Sequence, residues 1–575
     1  MTLTGERVVE SRWRTPSWVA RIHRTEGPVI GAGVLLSPDR VLTAAHVVRP
    51  GRRYVVHFVG APGVPAVDAA VDDEAYVPEE VDSFGDRSGD LALLRLAVPR
   101  PADHPTRLFR LAAPPAGVEM YGFPEGDDVG RWYSAAPLGG RGRDSRVQLR
   151  PHTPQELASP GFSGAGVVDL ATGQVLGIVL SADEGHEANF THMSPTETVL
   201  SHLPQVADWT DGPSAVDPQL RPGAAVGRLD VPFATELATW FAGRGWPVLV
   251  SVVPADGDRA WNLRRAIALA TRELRTTQRT SRFAGDPPHT VPPPGGHDLA
   301  LAVRDMTIRQ ITDRLAERLG IRTDPVVPFP DRLGTLRLTP AAVLVGVDES
   351  AEPGPLLGML EQLAAQGARL LLVFRSPDGL AAQAEETLVH RPLRERRARL
   401  HRAVDAIVDR LGPGLDQRLS RVRPGPDPAD TELVDRAMQG VWLTGMLREQ
   451  LTGTRDGEPE PLGADALFRH EATVERRRRR LERAIEHLDA RLVRLRELRL
   501  RLAAEWGLWR QKAGPAGTGP DLTAYELYES AAALLRAAPC DVDAAETAVA
   551  TFAEHCSKRP DPSRSAHDSE GEGTS

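Results

Sequence analysis

The chain has 575 residues, 41% hydrophobic and 26% charged, an ordinary composition for a globular protein of about two to four domains. A formal net charge of −9 removes any global electrostatic case for nucleic-acid binding. The only cysteines, Cys540 and Cys556, exclude a disulfide framework; residues 1–14 lack a secretory pattern and no run approaches about 18 apolar residues, so a cytoplasmic protein without a membrane span is expected.

Residues 33–36 and 41–45 read as two buried strands joined by a turn at Ser37, Pro38 and Asp39. His46 ends this run, and the small residues Ala44 and Ala45 let an imidazole emerge from a packed wall into a cleft. Asp90 precedes the apolar run Leu91-Ala92-Leu93-Leu94, where a carboxylate accepts a histidine proton while shielded from water. Ser163 lies between Gly161 and Gly164. Gly161 permits a tight turn that aims the backbone N–H groups of Gly161 and Ser163 at a developing oxyanion. Singly, these are a structural histidine, a turn aspartate and a flexible loop. In the order His, Asp, Ser they form a nucleophilic set: a serine hydroxyl needs a base, and the base needs a group that fixes its tautomer.

These segments resemble the trypsin-like (chymotrypsin-fold) peptidase family over about residues 16–205. The matching residues are Gly31-Ala32-Gly33-Val34-Leu35-Leu36 leading to His46, Asp90-Leu91-Ala92, the loop from Pro160 to Gly166, and Gly177-Ile178-Val179-Leu180-Ser181. The resemblance implies an all-β double Greek-key barrel with the active site between two six-stranded barrels. It makes His46 the general base, Asp90 its orienting group and Ser163 the nucleophile. The strand carrying Leu180, Ser181 and Ala182 would pair with the substrate backbone. Secreted relatives carry an aspartate before the nucleophile, where this chain has Phe162, so activation by a newly cut N-terminus is not available. The segment has no cysteine, as in intracellular bacterial relatives. Leu157, six residues before Ser163, argues against a strict Lys/Arg preference.

Residues 206–226 are rich in Asp, Gly, Pro and Ala and read as a linker. An α/β domain follows over 227–400, with buried strands at 247–253, 342–349 and 369–375 and helices at 260–275, 308–319 and 356–366, hence a parallel sheet. Residues 286–296 read as an exposed Pro/Gly-rich loop. The order resembles the nucleotide-binding core of signal-transducing (STAND-class) ATPases, with Asp348 and Glu349 at the metal-binding position and Arg375 at the sensor position. The phosphate loop departs: Pro254-Ala255-Asp256-Gly257-Asp258-Arg259 lacks G-x-x-x-x-G-K-[ST] and puts Asp258 where phosphate would sit. A P-loop-like fold without nucleotide is expected, with Asp348 and Glu349 as a plain strand-end turn. No cofactor and no metal site is expected.

The region 401–556 is all-α in pattern, with long amphipathic helices at 433–450 and 468–512 and a stripe of Leu481, Ile485, Leu488, Leu492 and Leu495, a coiled-coil or helical-hairpin signature. The run 476–480 of arginines reads as a solvated face balanced by Glu471, Glu475 and Glu482, not a nucleic-acid site. A helical pair follows at 525–555, broken at 538–541, with Asp541 as N-cap and Cys540 as a small core residue. Residues 557–575 read as disordered. Residues 468–556 resemble helical tails of actinobacterial signalling and conflict-system proteins, which implies protein association; the arginine- and alanine-rich composition fits a high-GC bacterial genome.

The expectation is a cytoplasmic serine endopeptidase in domain 1–205, acting on protein or peptide substrates and regulated by a partner on the α/β or helical region. The alternative is a protease-fold adaptor with little activity. A periplasmic quality-control protease is disfavoured by the missing secretion segment and missing peptide-binding module.

Overall fold

The computed structural model describes residues 15–61, 63–81, 86–110, 115–124, 128–141, 144–153, 158–183, 190–223, 227–275, 285–321, 328–336, 339–377, 379–452, 454–455, 458–459, 464–512 and 521–558. They fall into two compact units, Met1–His390 and Arg391–Ser575. Residues 1–14, Leu157 and the tail beyond 558, for which the sequence carries expectations, lie outside the described residues.

The first unit begins with β1 (Val19–Arg24), β2 (Val29–Ser37), β3 (Arg40–Thr43), β4 (Arg53–Phe58), β5 (Val67–Val77) and β6 (Leu91–Leu96). They close a barrel in the order β1-β2-β3-β6-β5-β4. Alternation builds its wall: Tyr54, Val56 and Phe58 of β4 and Val67, Ala69 and Val71 of β5 are buried, and their neighbours are more exposed. In β6, Leu91, Ala92, Leu93 and Leu94 are all buried, which explains its unbroken apolar run.

A second barrel is made of β7 (Val118–Gly122), β8 (Arg131–Arg141), β9 (Arg146–Pro151), β10 (Gly166–Asp169), β11 (Val175–Asp183) and β12 (Phe190–Pro195). The order is β10-β7-β8-β9-β12-β11, and the pairing of β10 with β11 closes the ring. Two closed six-stranded antiparallel barrels are thus present, followed by helix α1 (Thr196–His202).

Beyond α1 lies a four-stranded parallel sheet, β13 (Val248–Val252), β14 (Leu299–Ala302), β15 (Ala341–Val345) and β16 (Arg369–Phe374), in the order β13-β16-β15-β14. Val343, Val345, Leu371 and Val373 face one core with α2 (Val231–Phe241) and α3 (Asp258–Ala270). Ala342, Leu344, Leu370 and Leu372 face the other with α4 (Ile308–Arg318) and, after α5 (Phe329–Leu336), α6 (Pro353–Ala365). Burial on both faces explains the continuous apolar strands.

Two stretches expected to be open are packed. Within 206–226, Ala215, Val216 and Leu220 are buried in the α2–α3 core and Val216 bridges to Ala300. Within 286–296, Thr290 is buried, because Arg265 on α3, 1% exposed, needs acceptors there: it pairs with Asp286 and donates to the Thr290 carbonyl at 3.1 Å.

The second unit is helical: α7 (Arg391–Asp405), α8 (Gly412–Leu419), α9 (Pro428–Thr452), α10 (Ala464–Lys512), α11 (Leu522–Arg536) and α12 (Val542–Ser557). α10 buries Leu481, Leu488 and Leu495, with Ile485 and Leu492 half-buried beside them, so the stripe serves this unit's own bundle core. Arg478 pairs with Glu475 and Glu482, and Arg479 with Glu475. Asp541 caps α12 by accepting the Ala544 N–H at 3.1 Å. Cys540 is buried, and burial pushes its thiol pKa up.

Candidate active site

His46 sits in a short 3-10 turn after β3, with its side chain 47% exposed. Asp90 lies just before β6 with its side chain 3% exposed. His46 Nδ1 lies 2.9 and 3.0 Å from the two Asp90 oxygens, and Oδ1 also accepts the His46 backbone N–H at 2.9 Å. A carboxylate only accepts, so the imidazole proton rests on Nδ1 and leaves Nε2 unprotonated. The Asp90 hydrogen bond raises the His46 pKa above 6.5 against the opposing effect of burial. The geometry requires an unusual backbone: Gly89 and Asp90 are both left-handed, with φ of +76° and +72°. A Cβ at Gly89 would lie 2.5 Å from the Pro78 carbonyl oxygen, so only glycine fits.

The serine loop belongs to the second barrel. Gly161 has φ +104°, and a Cβ there would lie 1.7 Å from the Phe123 oxygen; Gly164 has φ +87°, and a Cβ would lie 2.1 Å from the Ala32 oxygen. Phe162 anchors the loop in the barrel core, fully buried and stacked on Tyr133 at 4.4 Å. The Ser163 carbonyl accepts the Ala32 N–H at 2.8 Å, which ties the loop to β2 of the first barrel. A Cβ at Gly31 would lie 2.7 Å from Val47 and 3.0 Å from the Ser163 oxygen, so the serine loop and the His46 turn meet over this glycine. Among the described residues, no hydrogen bond uses the N–H of Gly161 or Ser163, the two expected oxyanion donors.

Ser163 Oγ donates to the Leu180 carbonyl at 3.4 Å, and among the described residues no hydrogen bond joins it to His46. Leu180 lies in β11. Its pairing with β12 steps from Val179↔Met193 to Ser181↔His192, leaving Leu180 as the extra residue of a bulge. The Leu180 side chain is buried and Ser181 is half-buried; the Ala182 side chain lies outside the described residues.

Sequence reading missed the groups that hold Ser88 and Gly89, the two residues before Asp90. Asp144 accepts from Ser88 Oγ at 2.9 Å and from the Gly89 N–H at 2.8 Å, and Arg146 donates to the Gly89 carbonyl at 3.2 Å. No spacing rule marks them, because the contacts join residues 55 to 57 apart.

At the end of the α/β sheet, Asp348 accepts the N–H groups of Arg375 and Ser376 at 2.9 and 3.0 Å. Glu349 pairs with Arg304 at 2.9 Å and lies 3.6 Å from Arg375 Nε. Arg375 also donates to the Val253 and Pro254 carbonyls at 3.2 Å, and Asp258 accepts the Arg228 N–H at 2.9 Å. Among the described residues, no group of His, Cys, Asp or Glu is arranged to hold a metal ion, and no helix is long and apolar enough to cross a membrane.

Paired six-stranded barrels, a histidine on a buried aspartate and a serine in a glycine-lined turn define a trypsin-like serine peptidase domain. Residues 31–178 match the trypsin-like peptidase domain family. Among solved structures, the chain is similar to the HtrA-type protease AlgW with tripeptide, at 19% identity and TM-score 0.28, covering 40% of this chain and 71% of that one. It is similar to a serine-to-alanine AlgW variant with tripeptide, at 20% identity and TM-score 0.26, covering 33% of this chain and 59% of that one. It is also similar to an inactive serine-to-alanine mutant of Rv3671c from M. tuberculosis H37Rv, at 25% identity and TM-score 0.24, covering 33% of this chain and 87% of that one. No curated protein matches the chain.

Proposed function

We propose that the chain is a cytoplasmic serine endopeptidase using a His46–Asp90–Ser163 triad. The observation that carries this reading is the buried Asp90 carboxylate within 3.0 Å of His46 Nδ1. His46 Nε2 takes the proton of Ser163 Oγ as the oxygen bonds to the scissile carbonyl carbon. The resulting oxyanion lies against the Gly161 and Ser163 N–H groups. The tetrahedral adduct expels the amine, which takes the proton from His46, and leaves an acyl-serine. Water, deprotonated by His46, attacks the acyl carbon; the acid leaves and the proton returns to Ser163. The carbonyl edge at Leu180, Ser181 and Ala182 would align the substrate strand.

The α/β layer reads as a P-loop-like core without its phosphate loop. In support, Arg375 caps the sheet end with two hydrogen bonds to backbone carbonyls, and Asp348 is engaged in holding Arg375 and Ser376. Either this layer or the helical unit would receive a regulatory protein, making the chain a switched effector in bacterial signalling or conflict systems. Cys540 and Cys556 are buried and not joined in a disulfide, which fits a reducing compartment.

One observation favours the adaptor reading: Ser163 Oγ donates to Leu180 rather than to His46. A fluorophosphonate serine-hydrolase probe decides between them. Labelling of the full chain that disappears in Ser163→Ala supports the peptidase. A folded chain that stays unlabelled with and without candidate partners supports the adaptor.

A further inference from the structure

We propose that Asp144 is the positioning residue that imposes the Ser88-Gly89-Asp90 turn, and that Arg272 of the α/β layer holds Asp144 in place through Ser145. The inference rests on the triad reading above.

Asp144 lies in the turn between β8 and β9 of the second barrel, its side chain 9% exposed. It reaches the first barrel with both carboxylate oxygens, one on Ser88 Oγ and one on the Gly89 N–H. Its second oxygen also meets His202 Nε2 at 3.0 Å, and its own carbonyl accepts Thr198 Oγ1 at 2.8 Å. Burial raises its pKa, but His202, the Gly89 N–H and the Ser88 hydroxyl outweigh burial and hold it below the usual carboxylate range. Arg146 closes the other side of Gly89, bonding its carbonyl and Glu79. Gly89 is therefore gripped at both its N–H and its carbonyl by the second barrel. The grip favours the left-handed backbone at Asp90, a conformation uncommon for any residue but glycine. In that shape its carboxylate meets the backbone N–H and the ring Nδ1 of His46.

The next residue, Ser145, is itself left-handed at φ +50° and 2% exposed. Its hydroxyl accepts Arg272 Nε at 3.0 Å, and Arg272 comes from the α/β layer, two residues past α3. The guanidinium lies in a slot kept open by two glycines. A Cβ at Gly295 would lie 2.5 Å from Arg272 Nη2; one at Gly140 would lie 3.2 Å from it and 2.0 Å from Ser145 Oγ. Arg275 adds a cation whose field reaches Asp144. The contacts run unbroken from Arg272 through Ser145, Asp144 and Gly89 to Asp90 and His46. The α/β layer thus carries part of the catalytic geometry.

The test follows His46 in the full chain by titrating its imidazole by NMR with labelled histidine, assigned through His46→Gln, and by measuring fluorophosphonate labelling rates. His46 owes its raised pKa first to the Asp90 hydrogen bond, with Glu79 adding and Arg146 opposing. Asp144→Ala should shift the His46 titration to lower pH and slow labelling about 100-fold, the scale expected for a small misplacement. Asp144→Asn, which keeps one acceptor, should recover part of both. Arg272→Ala and Ser145→Ala should shift both in the same direction, with about a tenfold loss in rate. A His46 titration unmoved in folded Asp144→Asn and Asp144→Ala, or unmoved in folded Ser145→Ala and Arg272→Ala, overturns the corresponding half of the proposal. The NMR arm reads a latent chain as well as an active one. Labelling that survives Ser163→Ala overturns the triad reading and this proposal with it.

Discussion

Replacing Phe162 by alanine tests how the serine loop is held. The ring is fully buried in the second barrel and stacked on Tyr133 at 4.4 Å. Truncation of a buried phenylalanine costs about 3–5 kcal/mol, depending on how far the site collapses. Collapse is restricted here. One wall is the backbone of Gly122, where a Cβ would lie 2.3 Å from the ring, and that strand is paired on both sides, to β8 and to β10. The cost should sit at the upper end, about 5 kcal/mol, which corresponds to a midpoint drop of about 10 °C or more. The loss should also fall unevenly. Phe162 separates Gly161 from Ser163, so its loss frees the two N–H groups of the expected oxyanion hole, each worth about 100-fold or more in rate. Thermal unfolding and probe labelling at 25 °C, on folded protein, measure the two effects. Phe162→Leu should keep most of both. A midpoint within about 5 °C of the parent, half the expected drop, together with an unchanged labelling rate in Phe162→Ala would refute the anchoring argument.

Four further outcomes are expected. His46 must be neutral to act as base, and its raised pKa places the acid limb of the pH–rate profile above 6.5, with activity rising as pH rises through it; Asp90→Asn should move that limb down and cut the rate by about 10⁴-fold. For stability the sign reverses: the His46–Asp90 interaction contributes fully below pH 6.5 and is lost as pH rises through the raised value, which comparison of parent and Asp90→Asn unfolding across that window would reveal. The Glu197–Arg318 pair, 3.3 Å apart with both side chains 3% exposed, should cost about 3 kcal/mol when Glu197→Ala breaks it, and a combined Glu197→Leu, Arg318→Met variant should recover most of that in denaturant unfolding. ATP should give no thermal shift; a reproducible shift of about 3 °C or more would mean that Arg375 and Asp348 yield to a nucleotide.

The elements legible in the sequence were those whose cause is local. His46 ends and Asp90 precedes a run whose burial the local pattern reveals, Ser163 is marked by the glycines on either side of it, and β13, β15 and β16 stand out because both faces are covered. The hidden elements owe their shape to distant partners. β14 is only four residues, Leu299–Ala302, and follows a Pro/Gly-rich stretch that masks it. Residues 215–220 look like linker by composition, yet Val216 adds to the sheet beside Ala300. The packing of Thr290 follows from Arg265, a buried cation 25 residues away that needs its carbonyl. Asp144 and Arg272 act across 55 and 127 residues of chain, and no periodicity encodes such a contact.

These long contacts bear on where the peptidase part can be cut. A break after residue 205 would follow the end of the barrels but would remove Arg272 from Ser145, Arg318 from Glu197 and Glu273 from Arg110. The last is a two-bonded pair at 2.9 and 3.0 Å with both side chains 14% exposed. It would also remove Thr210, which pairs with Leu108. A break after His390 follows the division between the compact units and keeps all of these. Fragment 1–390 should therefore fold and show the same His46 titration as the full chain. Fragment 1–205 should lose midpoint stability and, where it folds, titrate His46 at lower pH. Equal His46 titrations in both fragments would mean that the barrels set Asp90 by themselves and that the α/β layer is only a neighbour.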